Sequence, residues 1–207
     1  MPDWPAPRTG ETLPHYAGRC AAGWVDGPAA VLTSSRPFHL GGVSFGGMVA
    51  LEAGRALLDA GTPPAGVFLI ASCRSREAVT PAFRRRAGLG TLLPDAALSW
   101  LLGGPAGRAF GRREGLDPAW RDTLCAMGRT TDVPFLKWAA RASAAWGLSR
   151  GEAMNPGFPV RQIHGEQDRV IPCRPQDCDA VLPGAGHLVN VTHADAVNAF
   201  LAAGTGR

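Results

Sequence analysis

A chain of 207 residues with 45% hydrophobic and 18% charged side chains is the size of one domain and can bury a real core. This excludes a disordered, collagen-like or coiled-coil chain, and no apolar run approaches the roughly 20 residues of a membrane helix. Net charge is +4, and 20 of the 21 basic residues are Arg; their one run, Arg84-Arg85-Arg86, reads as a solvated face, not a basic stripe interleaved with aromatics.

We therefore expect no nucleic-acid partner and no membrane partner. The start, MPDWPAPRTG, has no basic residues leading into an apolar stretch, so no secretory signal is read. Five Cys, an odd number without a CxxC, point to reduced thiols in the cytoplasm. Cys173, Cys178 and His164 fit no zinc spacing, so no metal is expected.

In chain order, Thr12 caps a helix whose stripe is Leu13, Tyr16, Ala17, Cys20 and Trp24, stopped at Asp26-Gly27-Pro28. Residues 37–44, with Phe38, Leu40 and Val43, predict a short buried strand. Residues 46–60 carry Met48, Val49, Leu51, Leu57 and Leu58 at helical spacing and close on Gly61 and Pro63. Residues 66–71 predict a second apolar strand. From 74 to 147 the pattern is helical in pieces, broken by Pro81, Pro94, Gly103-Gly104-Pro105 and Pro118, and it holds four of the six Trp. Strands return at 158–164 and 180–182, and a helix over 193–203 closes the chain. The alternation predicts a single α/β domain over 1–207 with a parallel sheet. Residues 74–147 are expected to form a helical lid insertion over the strand ends.

Gly42-Val43-Ser44-Phe45-Gly46 is a G-x-S-x-G between a predicted strand and a predicted helix. With 27 Gly and eight Ser in the chain, the letters alone arise by chance about once in seven such sequences, so the context carries the argument. A serine on a sharp strand-to-helix turn is pushed out of the sheet, small residues on either side let the chain double back, and the helix aims its first amides at the same spot. A serine hydroxyl needs a base, and the base an orienting acid. Asp168 follows the 158–164 strand and His187 the 180–182 strand, so both fall at the sheet edge where Ser44 lies, in the order Ser, acid, His. His187 would take the Ser44 proton and Asp168 would hold the imidazole.

The remaining candidates read as structural. His164, inside a strand, is a core residue or a partner behind the site; His39 is buried; His193 caps a helix; His15 has no partner. Asp177 and Asp179 are solvated loop residues. Glu166 is the nearest substitute acid.

The segments GGVSFGGMVALEAGRAL, IHGEQDRVIP and PGAGHLVNVTHADAVNAFL resemble the nucleophile elbow, acid loop and histidine loop of α/β-hydrolase fold serine hydrolases. The elbow with its helix is particularly similar to thioesterase and carboxylesterase members. The resemblance spans about residues 37–203. It implies a mostly parallel sheet flanked by helices, no cofactor, and cleavage of a small-molecule ester or thioester through an acyl-enzyme. It makes Ser44 the nucleophile, Asp168 the acid, His187 the base and the Phe45 amide one oxyanion donor. Serine at the elbow, rather than Asp, argues against the dehalogenase and epoxide-hydrolase branches.

One departure stands out. The family's elbow follows the fifth of eight strands, whereas Ser44 comes so early that the chain is expected to begin near the end of the fourth, around Asp3-Trp4-Pro5. Without the first three strands, residues 38–43 would form an unpaired apolar edge. The second oxyanion amide, usually from the loop after the third strand, would also be lost, at a cost of roughly 10²- to 10³-fold in rate. The alternative is a non-catalytic or N-terminally truncated binding module on the same fold. Acyl specificity, hydrolysis against acyl transfer, and oligomeric state are not encoded in these motifs.

Overall fold

The computed structural model describes residues 4–26 and 37–206. Four parallel strands form one sheet in the order β1-β2-β3-β4: β1 (His39–Val43), β2 (Gly66–Ile70), β3 (Val160–Gly165) and β4 (Ala180–Leu182). All four lie where the hydrophobic runs predict them. Val43 pairs with Ile70, Ile70 with Ile163, and Gly165 with Leu182. The four strands therefore end along one edge, and the loops that leave it can meet. Among the described residues β1 pairs only with β2, which makes it an outer strand.

Period-two alternation sorts the side chains to two faces. Val67 and Leu69 join one apolar cluster with Leu13, Tyr16, Met48, Leu51 and Trp138. Phe68, Ile70 and Ile163 join a second with Val189, Val197 and Phe200. The first face is covered by α1 (Leu13–Asp26), α2 (Phe45–Asp59) and α7 (Val133–Ala145). The second is covered by α9 (Val189–Thr192) and α10 (Ala194–Thr205).

The predicted stripe of α1 is the one that buries, with Leu13, Tyr16, Ala17 and Cys20 inside; the Gly27-Pro28 stop lies outside the described residues. Between β2 and β3 the chain is helical throughout. A 3-10 turn at Arg76–Ala78 leads into α3 (Pro81–Leu92), α4 (Asp95–Leu102), α5 (Pro105–Arg113), α6 (Pro118–Thr130), α7 and α8 (Arg150–Met154). The prolines predicted to break this stretch start helices: Pro81, Pro105 and Pro118 each sit in a first turn, where a missing N–H costs nothing. Thr80, Asp117, Asp132 and Ser149 cap the helices with side-chain oxygens. The helical stretch runs past Gly147 to Met154, because the Ser149–Glu152 capping box starts one more turn. No helix among the described residues is long and apolar enough to cross a membrane.

Two expectations change. His39 is only half-buried, because its strand is the outer one and its ring lies over Phe68 at 5.6 Å. Asp177 is 7% exposed, not solvated; Arg150 at 3.0 Å and Arg174 at 3.2 Å supply the countercharge that lets it bury. Asp179 is exposed, as expected, while its carboxylate accepts from the Gln162 N–H at 2.7 Å and from Arg74 at 2.6 Å.

Candidate active site

Ser44 is the hinge between β1 and α2. Its backbone is at φ 54 and ψ −122, a left-handed conformation that costs a non-glycine residue of order 1–3 kcal/mol. Ala71, just past β2, is the only other described non-glycine residue with positive φ, at 45. The two strained points are tied together: Ser72 Oγ donates to the Ser44 carbonyl at 2.6 Å, and the Ser44 N–H donates to Ile70 O at 2.9 Å.

The glycines around the elbow are not equivalent. A Cβ on Gly42 would overlap the Gly46 backbone, and one on Gly47 would overlap Ser72. One on Gly46, the second glycine of the motif, would meet only the Trp4 ring at 3.8 Å. The tight approach thus rests on Gly42 and Gly47.

The three residues expected to act together do meet. His187 Nε2 is 3.0 Å from Ser44 Oγ, and His187 Nδ1 is 2.7 Å from Asp168 Oδ2. Asp168 and His187 are 5% and 6% exposed, while Ser44 is half-buried. Asp168 Oδ1 accepts from the N–H groups of Val170 at 2.7 Å and Ile171 at 3.0 Å, which fixes the carboxylate from behind. Burial alone would raise this carboxyl. Hydrogen bonds from His164 and His187, the His187 charge and the Val170 N–H outweigh it and hold Asp168 at about 2. The acid therefore stays ionised at any ordinary pH. The imidazole between it and Ser44 can accept the hydroxyl proton while its far N–H is held. Phe45 is the first residue of α2, so its N–H is free of intrahelical bonding and lies at the positive end of the helix.

The rivals lie elsewhere. Glu166 caps the Gly184 N–H at 2.9 Å, and His193 precedes α10 with its ring 2.9 Å from Thr192 Oγ1. His15 is exposed on α1. No group of three or more His, Cys, Asp or Glu among the described residues could hold a metal. Cys173 and Cys178 sit 4.0 Å apart, with Cys178 against the Gln162 amide instead of a metal set.

Besides Ser72, two contributors escaped the sequence reading. Glu114, at the end of α5, is buried and its Oε2 accepts from the backbone N–H groups of His187 and Leu188. A Cβ on Gly186 would overlap that carboxylate, so the glycine makes room for the clamp. The second is an aromatic cluster beside the elbow. The Phe45 ring stacks on Trp4 at 5.8 Å and meets Phe135 edge-on at 6.3 Å, with Tyr16 and Trp138 behind. The one available signal was aromatic density on either side of the predicted elbow, which period analysis reads only as core.

Residues 1–200 match the sequence model of the alpha/beta hydrolase family. Solved structures with the same fold include a thermophilic esterase from Thermogutta terrifontis, 17% identical with a TM-score of 0.66 over 92% of this chain and 71% of that one. An enol-lactonase from Burkholderia xenovorans is 20% identical with a TM-score of 0.67 over 98% and 76%. A bromoperoxidase from Bacillus anthracis is 18% identical with a TM-score of 0.59 over 82% and 67%. No curated protein matches this sequence. Names so different on one architecture mean that the fold leaves the reaction open.

Proposed function

The chain belongs to the alpha/beta hydrolase family, and on that premise we propose that it is a serine hydrolase that cleaves a carboxylic ester or thioester through an acyl-enzyme. The observation that carries the reading is the continuous hydrogen-bonded line from Ser44 Oγ through His187 to Asp168, 3.0 and 2.7 Å per link. Ser44 Oγ attacks the carbonyl carbon and His187 Nε2 takes its proton. The carbonyl electrons move to an oxyanion that faces the Phe45 N–H at the start of α2. Collapse expels the alcohol or thiol, which receives the proton from His187. Water, deprotonated by the same imidazole, then attacks the acyl carbon and frees the acid.

Trp4, Phe45 and Phe135 give the nucleophile an apolar flank, which suits an apolar acyl group. Residues 74–147 serve as the lid in this reading, and the Glu114 clamp on the His187 loop is their link to the chemistry.

A fluorophosphonate probe tests the reading. The wild type is expected to label on Ser44 and Ser44→Ala is expected not to. A folded, monodisperse wild type that takes no label contradicts it.

A further inference from the structure

Behind the line just described, the hydrogen bonds do not stop at Asp168. Asp168 Oδ2 also faces His164 Nε2 at 3.1 Å, and neither side chain is more than 1% exposed. His164 Nε2 is 2.8 Å from Ile171 O as well. Both neighbours of that nitrogen are acceptors, so it must carry a proton, and in the neutral ring His164 Nδ1 is then an acceptor. Gln162 supplies the matching donor: its Nε2 is 3.2 Å from His164 Nδ1. The Gln162 amide is itself oriented, because Nε2 also donates to Ser72 O at 3.1 Å, where a flipped amide would set oxygen against oxygen. Among the described residues Gln162 Oε1 is buried with no hydrogen-bond partner, so this amide is placed for its donors. Ser72 Oγ returns to the Ser44 carbonyl at 2.6 Å.

With the 3.1 Å approach of His164 Nε2 to Asp168 Oδ2, the N–H of that nitrogen being shared with Ile171 O, these hydrogen bonds close a ring through Ser44, His187, Asp168, His164, Gln162 and Ser72. Gln162 and His164 stand two apart on the same face of β3, and the other members leave the ends of β1, β2, β3 and β4.

Resting on the reading of Ser44, His187 and Asp168 as a triad, we infer that His164 is a positioning residue for this chemistry: its neutral Nε2–H tautomer, set by Gln162, holds the Asp168 carboxylate in line with His187. The hydrogen bond from His164 is also among the causes that keep the Asp168 carboxyl low. The other titratable groups around the ring are few. Burial raises the Cys173 thiol and pushes Cys178 up to about 12, so both stay neutral. Asp179 is occupied by the Gln162 N–H and Arg74, and Glu114 by the main chain of the His187 loop.

The test compares the rate of fluorophosphonate labelling against pH in the wild type, His164→Leu and His164→Gln, with urea midpoints for each. His164→Leu removes one donor from Asp168 Oδ2 and leaves the carboxylate held by the Val170 and Ile171 N–H groups on its other oxygen. Labelling is expected to slow about 10- to 100-fold, the scale of a small misplacement. Its acid limb should move to higher pH, because a carboxylate relieved of one donor binds the protonated His187 more tightly. His164→Gln places an amide N–H three bonds from Cβ, as in the imidazole, and is expected to stay within about threefold of the wild type. A folded His164→Leu that labels like the wild type at every pH overturns the inference. Equal loss in both variants also overturns it, because that pattern marks packing, not a donor. The tautomer is read separately from the imidazole ¹⁵N shifts of the wild type at about pH 8. Neutral Nε2–H is expected; a charged ring or Nδ1–H refutes the inference even when Ser44 labels normally. A wild type that fails to label while His164 shows the expected tautomer instead removes the triad reading and, with it, this role for His164.

Discussion

α2, which carries the elbow, buries nine of its fifteen residues, whereas α4, eight residues long, buries none. The contrast holds across the two regions to which these helices belong. At the carboxyl edge of the sheet, Ser72, Gln162, His164, Asp168 and His187 are all buried and are joined by hydrogen bonds. In the helical stretch between β2 and β3, Leu92 is 78% and Trp100 67% exposed, with Leu89, Trp120 and Met127 also turned outward. Charge divides the same way: residues 74–147 hold twelve basic and six acidic side chains, and the rest of the chain nine and eleven. Polar groups bonded in low dielectric fix one geometry, whereas scattered exposed side chains fix little. The edge is therefore where substitution should be costly, and the outer helices where it should be cheap.

The largest effect belongs to Asp168→Asn, which keeps the shape and loses the charge. Hydrolysis of a p-nitrophenyl ester is expected to slow about 10³- to 10⁴-fold with the fold intact. Steady-state kinetics beside a circular dichroism spectrum check this. Next come the elbow glycines. Gly42→Ala forces a Cβ into the Gly46 backbone and should cost about 3 kcal/mol or more. Gly46→Ala brings a Cβ only to ordinary contact with the Trp4 ring, within a helix, and should be neutral or stabilising by up to about 1 kcal/mol. Urea midpoints that rank the two the other way would break the account of the elbow.

Glu114→Ala tests the clamp that residues 74–147 place on the His187 loop. It leaves the His187 and Leu188 N–H groups without their acceptor and should cost about 1–3 kcal/mol with some loss of activity. Acid unfolding sharpens the same contrast. Folding lowers the Asp168 carboxyl to about 2, so its ionised form stabilises the fold above the ordinary carboxylate range. That contribution fades as pH falls from about 4 towards 2. Asp168→Asn should flatten the stability–pH curve over that interval and leave it parallel to the wild type above it. Leu92→Ala marks the small end, within about 0.5 kcal/mol of the wild type. A loss well beyond that would mean the outer helices are covered in solution.

The four strands, α2, Ser44, Asp168 and His187 were legible because each depends on local pattern: apolar runs, a glycine turn, a polar residue at a strand end. Glu114 was not. Its contact spans 73 residues and ends on backbone N–H groups, which leave no trace in residue type. Nor was Ser72, whose role comes from the positive φ of Ala71 beside it. Asp177 misled because burial of a carboxylate follows from where Arg150 and Arg174 fold, not from the Asp itself. The glycine motif was read evenly on both sides of Ser44, yet steric crowding singles out Gly42 and Gly47.

The most direct measurement is a rapid-mixing experiment with a short-chain p-nitrophenyl ester. If Ser44 forms an acyl-enzyme, and this activated ester makes its hydrolysis the slower step, the first turnover releases a burst of p-nitrophenol close to one equivalent per chain, and the peptide containing Ser44 gains the mass of the acyl group. A folded protein with neither burst nor acylated peptide would contradict the account.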